Sequence, residues 1–92
     1  MITVRLPGPL HAAARGCARV SLEGVPPTVG AALEALFALH PALHDRILTE
    51  QGRVREHVNV FVDRATIRRT GGLTTPLRDG AVLAIIPAVS GG

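Results

Sequence analysis

The sequence predicts an α+β domain in which one main helix covers one face of a sheet of about four to five strands. Two observations identify these elements. Apolar and polar residues alternate in two segments near the start and in a third after residue 57, as in half-buried strands. Between them, residues 29–40 carry apolar side chains at helical spacing. A third observation is the order of the elements, which leaves a single long helix for the whole sheet.

The first two strands are indicated by their alternation. The first runs over residues 2–6 and ends at the Pro-Gly-Pro sequence of residues 7–9. The second runs over residues 18–22 and ends at Glu23-Gly24. Every second residue in both is apolar, so one face of each strand is expected to be buried.

The main helix is predicted to begin after Thr28, a favourable N-cap residue. It should end near His40, because Pro41 disfavours helical geometry in the residue before it. Its apolar face consists of Val29, Leu33, Leu36 and Phe37. Pro41 can itself open a second, short helical turn, with apolar side chains at Leu43, Ile47 and Leu48.

The remaining strands lie in the second half of the chain. A third strand is predicted over residues 58–62, followed by a turn at Asp63-Arg64 and a short strand over residues 65–69. The Asp79-Gly80 pair is a strong turn signal, and it stands directly before a last strand over residues 81–87.

The last strand is apolar on both sides, which is typical of a central strand. A single helix cannot cover both faces, so one set of side chains is predicted to lie on an uncovered face: Val82, Ala84 and Ile86. Phe61, which is out of phase with the valines of its own strand, should join them. These residues either pack under long loops or form a docking patch, for which Phe61 and Ile86 are the candidates.

The composition limits the function classes. All ten basic residues are arginine, the formal net charge is only +3, and two phenylalanines are the only aromatics besides histidine, so a base-stacking platform is not expected. A small RNA-binding module is one alternative, with salt-sensitive binding through Arg53, Arg55, Arg68 and Arg69. The single cysteine, Cys17, excludes an intrachain disulfide and favours the cytoplasm. Neither a membrane span nor a signal peptide is expected, and we predict no membrane or nucleic-acid partner.

Other candidate sites are weak. His40 and His44 have the spacing of metal ligands on a helix, but Pro41 lies between them and no third ligand is evident, so no metal is predicted. Gly71-Gly72 is not followed by the Lys-Ser/Thr of a phosphate-binding loop. The scattered acidic residues show no spacing that would pair two carboxylates for acid–base chemistry.

The segment after Pro87 consists of small residues and ends in two glycines. A terminal carboxylate has a pKa of about 3.5, so it is ionised and must be activated, for example as an acyl-adenylate, before it can react with a nucleophile. An activating enzyme would hold it deep in its own site, and residues without bulky side chains suit such a slot. We therefore predict a domain over residues 1–87 and a flexible tail over residues 88–92. The part of the tail that would pass through this slot is Val89, Ser90 and Gly91, and the reaction would take place at Gly92.

Three motifs in register give a resemblance to a known family: "VNVFV", "PLRDG" and "IIPAVSGG". Together they resemble the C-terminal half of the ubiquitin-like sulfur carriers of the MoaD/ThiS family. The earlier half fits more loosely, through "MITVRL", the helix after Thr28 and "HPALHDRIL". The resemblance implies a ubiquitin-like β-grasp fold whose first and last strands are parallel and adjacent in a mixed sheet.

The resemblance also implies a reaction cycle centred on Gly92. A ubiquitin-activating-type enzyme would adenylate the Gly92 carboxylate with ATP, and a sulfur donor would convert it to a thiocarboxylate. The acceptor would be a cysteine synthase-like enzyme or the large subunit of molybdopterin synthase. The protein would then be a co-substrate rather than an enzyme and would bind no cofactor. Because the same activated tail could be joined to lysines, a ubiquitin-like protein modifier is the main alternative.

Overall fold

Five strands form one mixed sheet in the computed structural model, which describes residues 1–87. The strands are β1 (Ile2–Arg5), β2 (Arg19–Leu22), β3 (Val58–Val62), β4 (Ala65–Thr66) and β5 (Val82–Pro87). Their order across the sheet is β2-β1-β5-β3-β4. β1 and β5 are parallel, and every other neighbouring pair is antiparallel. The α+β class, the central position of β5 and the β-grasp architecture are therefore confirmed.

The helices lie on one side of this sheet. Helix α1 spans Val29–Leu39, and the Thr28 hydroxyl accepts a hydrogen bond from the Ala31 N–H at 3.2 Å, so Thr28 is the N-cap. Pro41 opens a 3₁₀ turn that leads into the short helix α2 (His44–Ile47), as expected. Within residues 1–87, no helix is long and apolar enough to cross a membrane.

The core lies between α1, α2 and the inner face of the sheet. Its fully or almost fully buried members come from both layers: Ile2, Val4, Val29, Leu33, Leu36, Leu43, Ile47, Val60, Leu83 and Ile85. Two 3₁₀ turns that the sequence did not predict, Gly8–Leu10 and Ala12–Ala14, add Leu10 and Ala14 to this core. Every residue of the described core thus comes before Pro87.

Leu83 marks the centre of this core, and its truncation should be costly. It is fully buried on β5, opposite Val4 on one side and Val62 on the other. We expect Leu83→Ala to lower the free energy of unfolding by about 2–5 kcal/mol, because the removed methyl groups leave a cavity. Val82→Ala, on the opposite face of the same strand, is the matched control and should cost clearly less. Denaturant unfolding measures both variants, and equal losses would contradict the assignment of the two faces.

The short strand β4 is the one strand whose predicted length is wrong by more than one residue. It ends at Thr66 rather than at residue 69, and Ile67–Arg69 form a 3₁₀ turn. The Thr66 hydroxyl accepts a hydrogen bond from the Arg68 N–H at 3.4 Å, which caps this turn. Ile67 is 3% exposed, so the chain leaves the sheet in order to bury this side chain.

Two turns fix the start of β5. Asp63, in the turn between β3 and β4, has a positive φ of 54°, which Asp tolerates better than most residues. Its backbone N–H donates to the Val82 carbonyl at 2.8 Å, and its carboxylate accepts from the Val82 N–H at 3.1 Å. In the Asp79-Gly80 turn, Gly80 has a φ of +87°. The Met1 ammonium pairs with the Asp79 carboxylate, and this hydrogen bond and charge lower the pKa of Asp79.

Candidate functional site

The end of β5 is held less completely than its beginning. β5 pairs with β1 at Val82, Leu83 and Ala84, whereas its pairing with β3 continues as far as Pro87, which lies opposite Val58. The last residues of the strand therefore have a partner on one side only. Pro87 also has no N–H to donate, so the end of β5 is suited to release the chain from the sheet.

The residues predicted for the tail lie outside the described part of the chain. These are Val89, Ser90, Gly91 and Gly92. Their roles in threading and reaction, and the boundary between a domain and a tail at residue 88, stay predictions. What the structure does describe is the surface from which this segment starts.

The sheet face opposite the helices carries an apolar patch, as the sequence predicted. Phe61 lies directly opposite Ala84, and Ile86 lies two residues further along β5 on the same face. Ile86 is 43% exposed, and Phe61 and Ala84 are partly buried. We call Phe61, Val82, Ala84 and Ile86 the open-face patch. No helix among residues 1–87 covers this patch, and its most exposed member, Ile86, is available to a second molecule.

Two arginines border the open-face patch. Arg5 of β1 is paired with Ala84 on one side and with Arg19 of β2 on the other, so both guanidinium groups belong to the same face. Both side chains are exposed. The face therefore combines an apolar centre with a positively charged border, an arrangement common at protein–protein interfaces.

A second group of basic side chains surrounds the end of β5. A cleft of about 140 Å³ is lined by Pro87 together with Arg46 of α2 and His57, which precedes β3. A neighbouring cleft of about 220 Å³, on the open-face side, is lined by Pro87 and Arg5. We call Arg5, Arg46 and His57 the basic collar. It brings together three segments that are distant in the sequence.

The arginines of the RNA-binding alternative do not form one free group. Arg55 donates to the Asp45 carbonyl at 2.6 Å, and Arg68 donates to the Glu56 carbonyl at 3.1 Å. These two side chains stabilise the loop before β3, which leaves them less available for phosphates. Arg53 and Arg69 are exposed.

The histidines do not assemble a metal site in the described residues. α1 ends at Leu39, so His40 and His44 do not share one helix, and the His44 ring bonds the Asp45 carboxylate at 2.8 Å. In residues 1–87 there is no group of three or more His, Cys, Asp or Glu side chains that could hold a metal ion.

Sequence reasoning found the open-face patch but not the basic collar. Phe61 and Ile86 could be placed on one face from strand periodicity alone. Arg46 and His57 meet at Pro87 only because α2 and the loop before β3 pack against the same end of the sheet. No local pattern signals such a contact, since it depends on the tertiary structure.

Comparisons with known proteins agree with this geometry. A family model described as "ThiS family" matches residues 4–92. The sulfur carrier protein CysO of Mycobacterium tuberculosis is 33% identical over 93 residues, covering 99% of this chain and 98% of that protein. Its crystal structure superposes with a TM-score of 0.88 at 32% identity, covering 97% of this chain and 100% of that one.

Two further relatives extend the comparison. Small archaeal modifier protein 1 of Haloferax volcanii is 38% identical over 74 residues, covering 80% of this chain and 79% of that protein. A chain of the Amycolatopsis orientalis BexX/CysO complex matches with a TM-score of 0.88 at 30% identity, and both chains are covered completely.

Proposed function

This chain belongs to the ThiS family, and we propose that it is a sulfur carrier that works through the carboxyl group of Gly92. One observation supports the proposal above all others. The similarity to a protein named as a sulfur carrier extends over almost the whole of both chains, and the fold is the same. The carrier role is therefore proposed for the complete domain and not for an isolated motif.

The proposed chemistry begins with activation of an unreactive group. A Gly92 carboxylate oxygen attacks the α-phosphorus of ATP on a partner enzyme, and pyrophosphate leaves. A persulfide sulfur of the donor then attacks the acyl carbon, and AMP leaves. A thiol reduces the resulting acyl disulfide, which gives the Gly92 thiocarboxylate and an oxidised donor. The acceptor then takes the sulfur from the Gly92 thiocarboxylate. Hydrolysis restores the Gly92 carboxylate, so the chain can enter the cycle again.

The chain's own residues contribute recognition to this cycle. A partner that acts on Gly92 has to bind the domain next to the end of β5, where Ile86 of the open-face patch and Arg5 are exposed. Phe61 and Ile86 are proposed as the apolar contacts of this docking. A relative is known in a complex with a second protein, BexX. This agrees with a protein that acts as a co-substrate and needs partner enzymes.

For the acceptor, we favour an enzyme of the cysteine synthase type. The relatives of nearly full-length coverage include CysO from Mycobacterium, and the ending "PAVSGG" resembles the carrier of the thiocarboxylate route to cysteine more than the molybdopterin synthase subunit. The molybdopterin type stays the second possibility for the acceptor.

A protein modifier is the second candidate function, and one observation favours it. A protein named as a small archaeal modifier has 38% identity to this chain. A modifier and a carrier share the same activation step and differ in the nucleophile that follows. For a modifier this nucleophile is a lysine amine of another protein. The chain itself contains no lysine, so it cannot accept a copy of itself at a lysine side chain.

Intact-mass measurement of the protein isolated from its own cells tests the carrier function. We expect a species heavier than the unmodified chain by the mass difference between sulfur and oxygen, because sulfur replaces one oxygen of the Gly92 carboxylate. The control is a chain that lacks Gly92, expressed in the same cells, in which this species should be absent. Covalent conjugates to other proteins, without the sulfur-containing species, would contradict the carrier and support the modifier.

A further inference from the structure

The basic collar has no counter-charge in the described part of the chain. Among residues 1–87, the side chains of its members form no hydrogen bond or ion pair, and no carboxylate lines either of the clefts beside Pro87. The acidic residues that precede Arg46 and His57 in the sequence, Asp45 and Glu56, do not pair with them. Asp45 bonds His44, and Glu56 lines a different cleft together with Arg68. Arg5 and Arg46 therefore contribute two positive charges beside Pro87 that have no ion-pair partner among residues 1–87.

The length of the tail places the collar against any enzyme that acts on Gly92. Five residues separate Pro87 from the reactive carboxyl group, and a fully extended chain of five residues spans at most about 18 Å. Because an adenylating site is recessed, part of this length lies inside the enzyme. The distance from Pro87 to the entrance of the site is therefore much shorter than about 18 Å. Arg5, Arg46 and His57 are the basic residues that line the two clefts beside Pro87, so they lie within this range.

We infer that the basic collar docks onto a carboxylate-bearing rim at the entrance of the slot in which the adenylating enzyme receives residues 88–92. This inference rests on the proposed function and specifies the chemistry of its partner. Guanidinium groups bind carboxylates with two parallel hydrogen bonds, which fixes orientation as well as attraction. Two guanidinium groups on opposite sides of Pro87 therefore orient the tail toward the slot before it enters.

The clefts also provide apolar contacts for the same rim. Pro7 lines both of them, and Leu10 lines the cleft with Arg46 and His57. The aliphatic part of an acidic side chain can pack there while its carboxylate meets the collar. The collar is continuous with the open-face patch through Arg5, so one partner can contact both surfaces at once.

Charge reversal in the collar tests this inference. In an ATP–pyrophosphate exchange assay with the adenylating enzyme of the same organism, we expect Arg5→Glu/Arg46→Glu to lower kcat/KM roughly tenfold or more at low ionic strength. The value of kcat at saturating carrier should stay close to that of the wild type. Added salt should slow the wild type and have a much smaller effect on this variant. Arg5→Lys/Arg46→Lys, which keeps both charges, should retain most of the activity.

The matched control is Arg64→Glu/Arg78→Glu. Both of these arginines are exposed and line a cleft at the opposite end of β5, and this variant has the same net charge as the first. We expect its kcat/KM to change less than threefold. Equal losses in the two double variants, or no loss in either, would overturn the inference. If the wild type does not support exchange, or supports it without Gly92, the proposed function itself is wrong, so the two failures are distinguishable.

Discussion

Deletion of Gly92 is expected to abolish adenylation of the chain by its partner enzyme. Removing one residue withdraws the carboxyl group by about 3.5 Å, and misplacement by even 1 Å can cost about 100-fold in rate. We therefore expect the exchange of pyrophosphate into ATP to fall more than about 100-fold. Extension of the chain by one residue beyond Gly92 should have the same effect, because the carboxyl group is then displaced in the other direction.

The same deletion should leave the domain stable. Every residue of the described core precedes Pro87, so we expect the midpoint of thermal unfolding to stay within the error of the measurement. Gly92→Ala is a useful companion variant, because it keeps the length and the carboxylate and adds only a Cβ. Its activity should lie between the wild type and the deletion. If the truncated chain is adenylated as well as the wild type, the role of Gly92 is wrong.

Placing a negative charge on the open-face patch is expected to break docking while the domain stays folded. Phe61→Asp and Ile86→Asp each replace an apolar contact by a carboxylate that the partner would have to desolvate. We expect either change to cost at least about 2 kcal/mol of binding free energy, roughly 30-fold in Kd. Calorimetry or surface plasmon resonance with the adenylating enzyme measures this loss.

Stability measurements separate docking from core packing. Ile86 is 43% exposed, so Ile86→Asp should lower the free energy of unfolding by no more than about 1 kcal/mol, the span of strand propensities. Ser21→Asp is the control, since Ser21 is exposed on the same face but on the edge strand β2. It should have little effect on binding. A loss of stability for Ile86→Asp as large as that for Leu83→Ala would show that Ile86 belongs to the core.

The fold could be predicted from the sequence to the extent that its determinants are local. Alternation placed β1, β2 and β3, and the Thr28 cap and Pro41 set the limits of α1. The predicted extension of β4 to residue 69 failed because Ile67 turns into the core, and burial of one side chain outweighs the weak propensity of a short edge strand. The two 3₁₀ turns over residues 8–14 were missed because Pro and Gly indicate irregular chain without specifying its form.

The candidate site divides in the same way. The open-face patch could be predicted because β5 is apolar on both faces and Phe61 points to the face opposite to that of the valines in β3. Both features are visible in the sequence alone. The position of Arg46 and His57 beside Pro87 could not be predicted, because the sequence near each residue does not indicate which end of the sheet it packs against. The basic collar is a product of tertiary packing, and only the structure brings it together.

The central position of β5 has a consequence for how the protein is made. β5 follows the other four strands along the chain, yet β1 and β3 have no common neighbour without it. On the ribosome, each half of the sheet therefore keeps an unpaired edge until residues 82–87 leave the exit tunnel, and unpaired edges favour aggregation. The strand that completes the fold is followed directly by residues 88–92, in which the proposed reactive group lies. A chain that terminates before residue 82 therefore lacks both the central strand of the sheet and Gly92, the residue at which we propose that the activating enzyme acts.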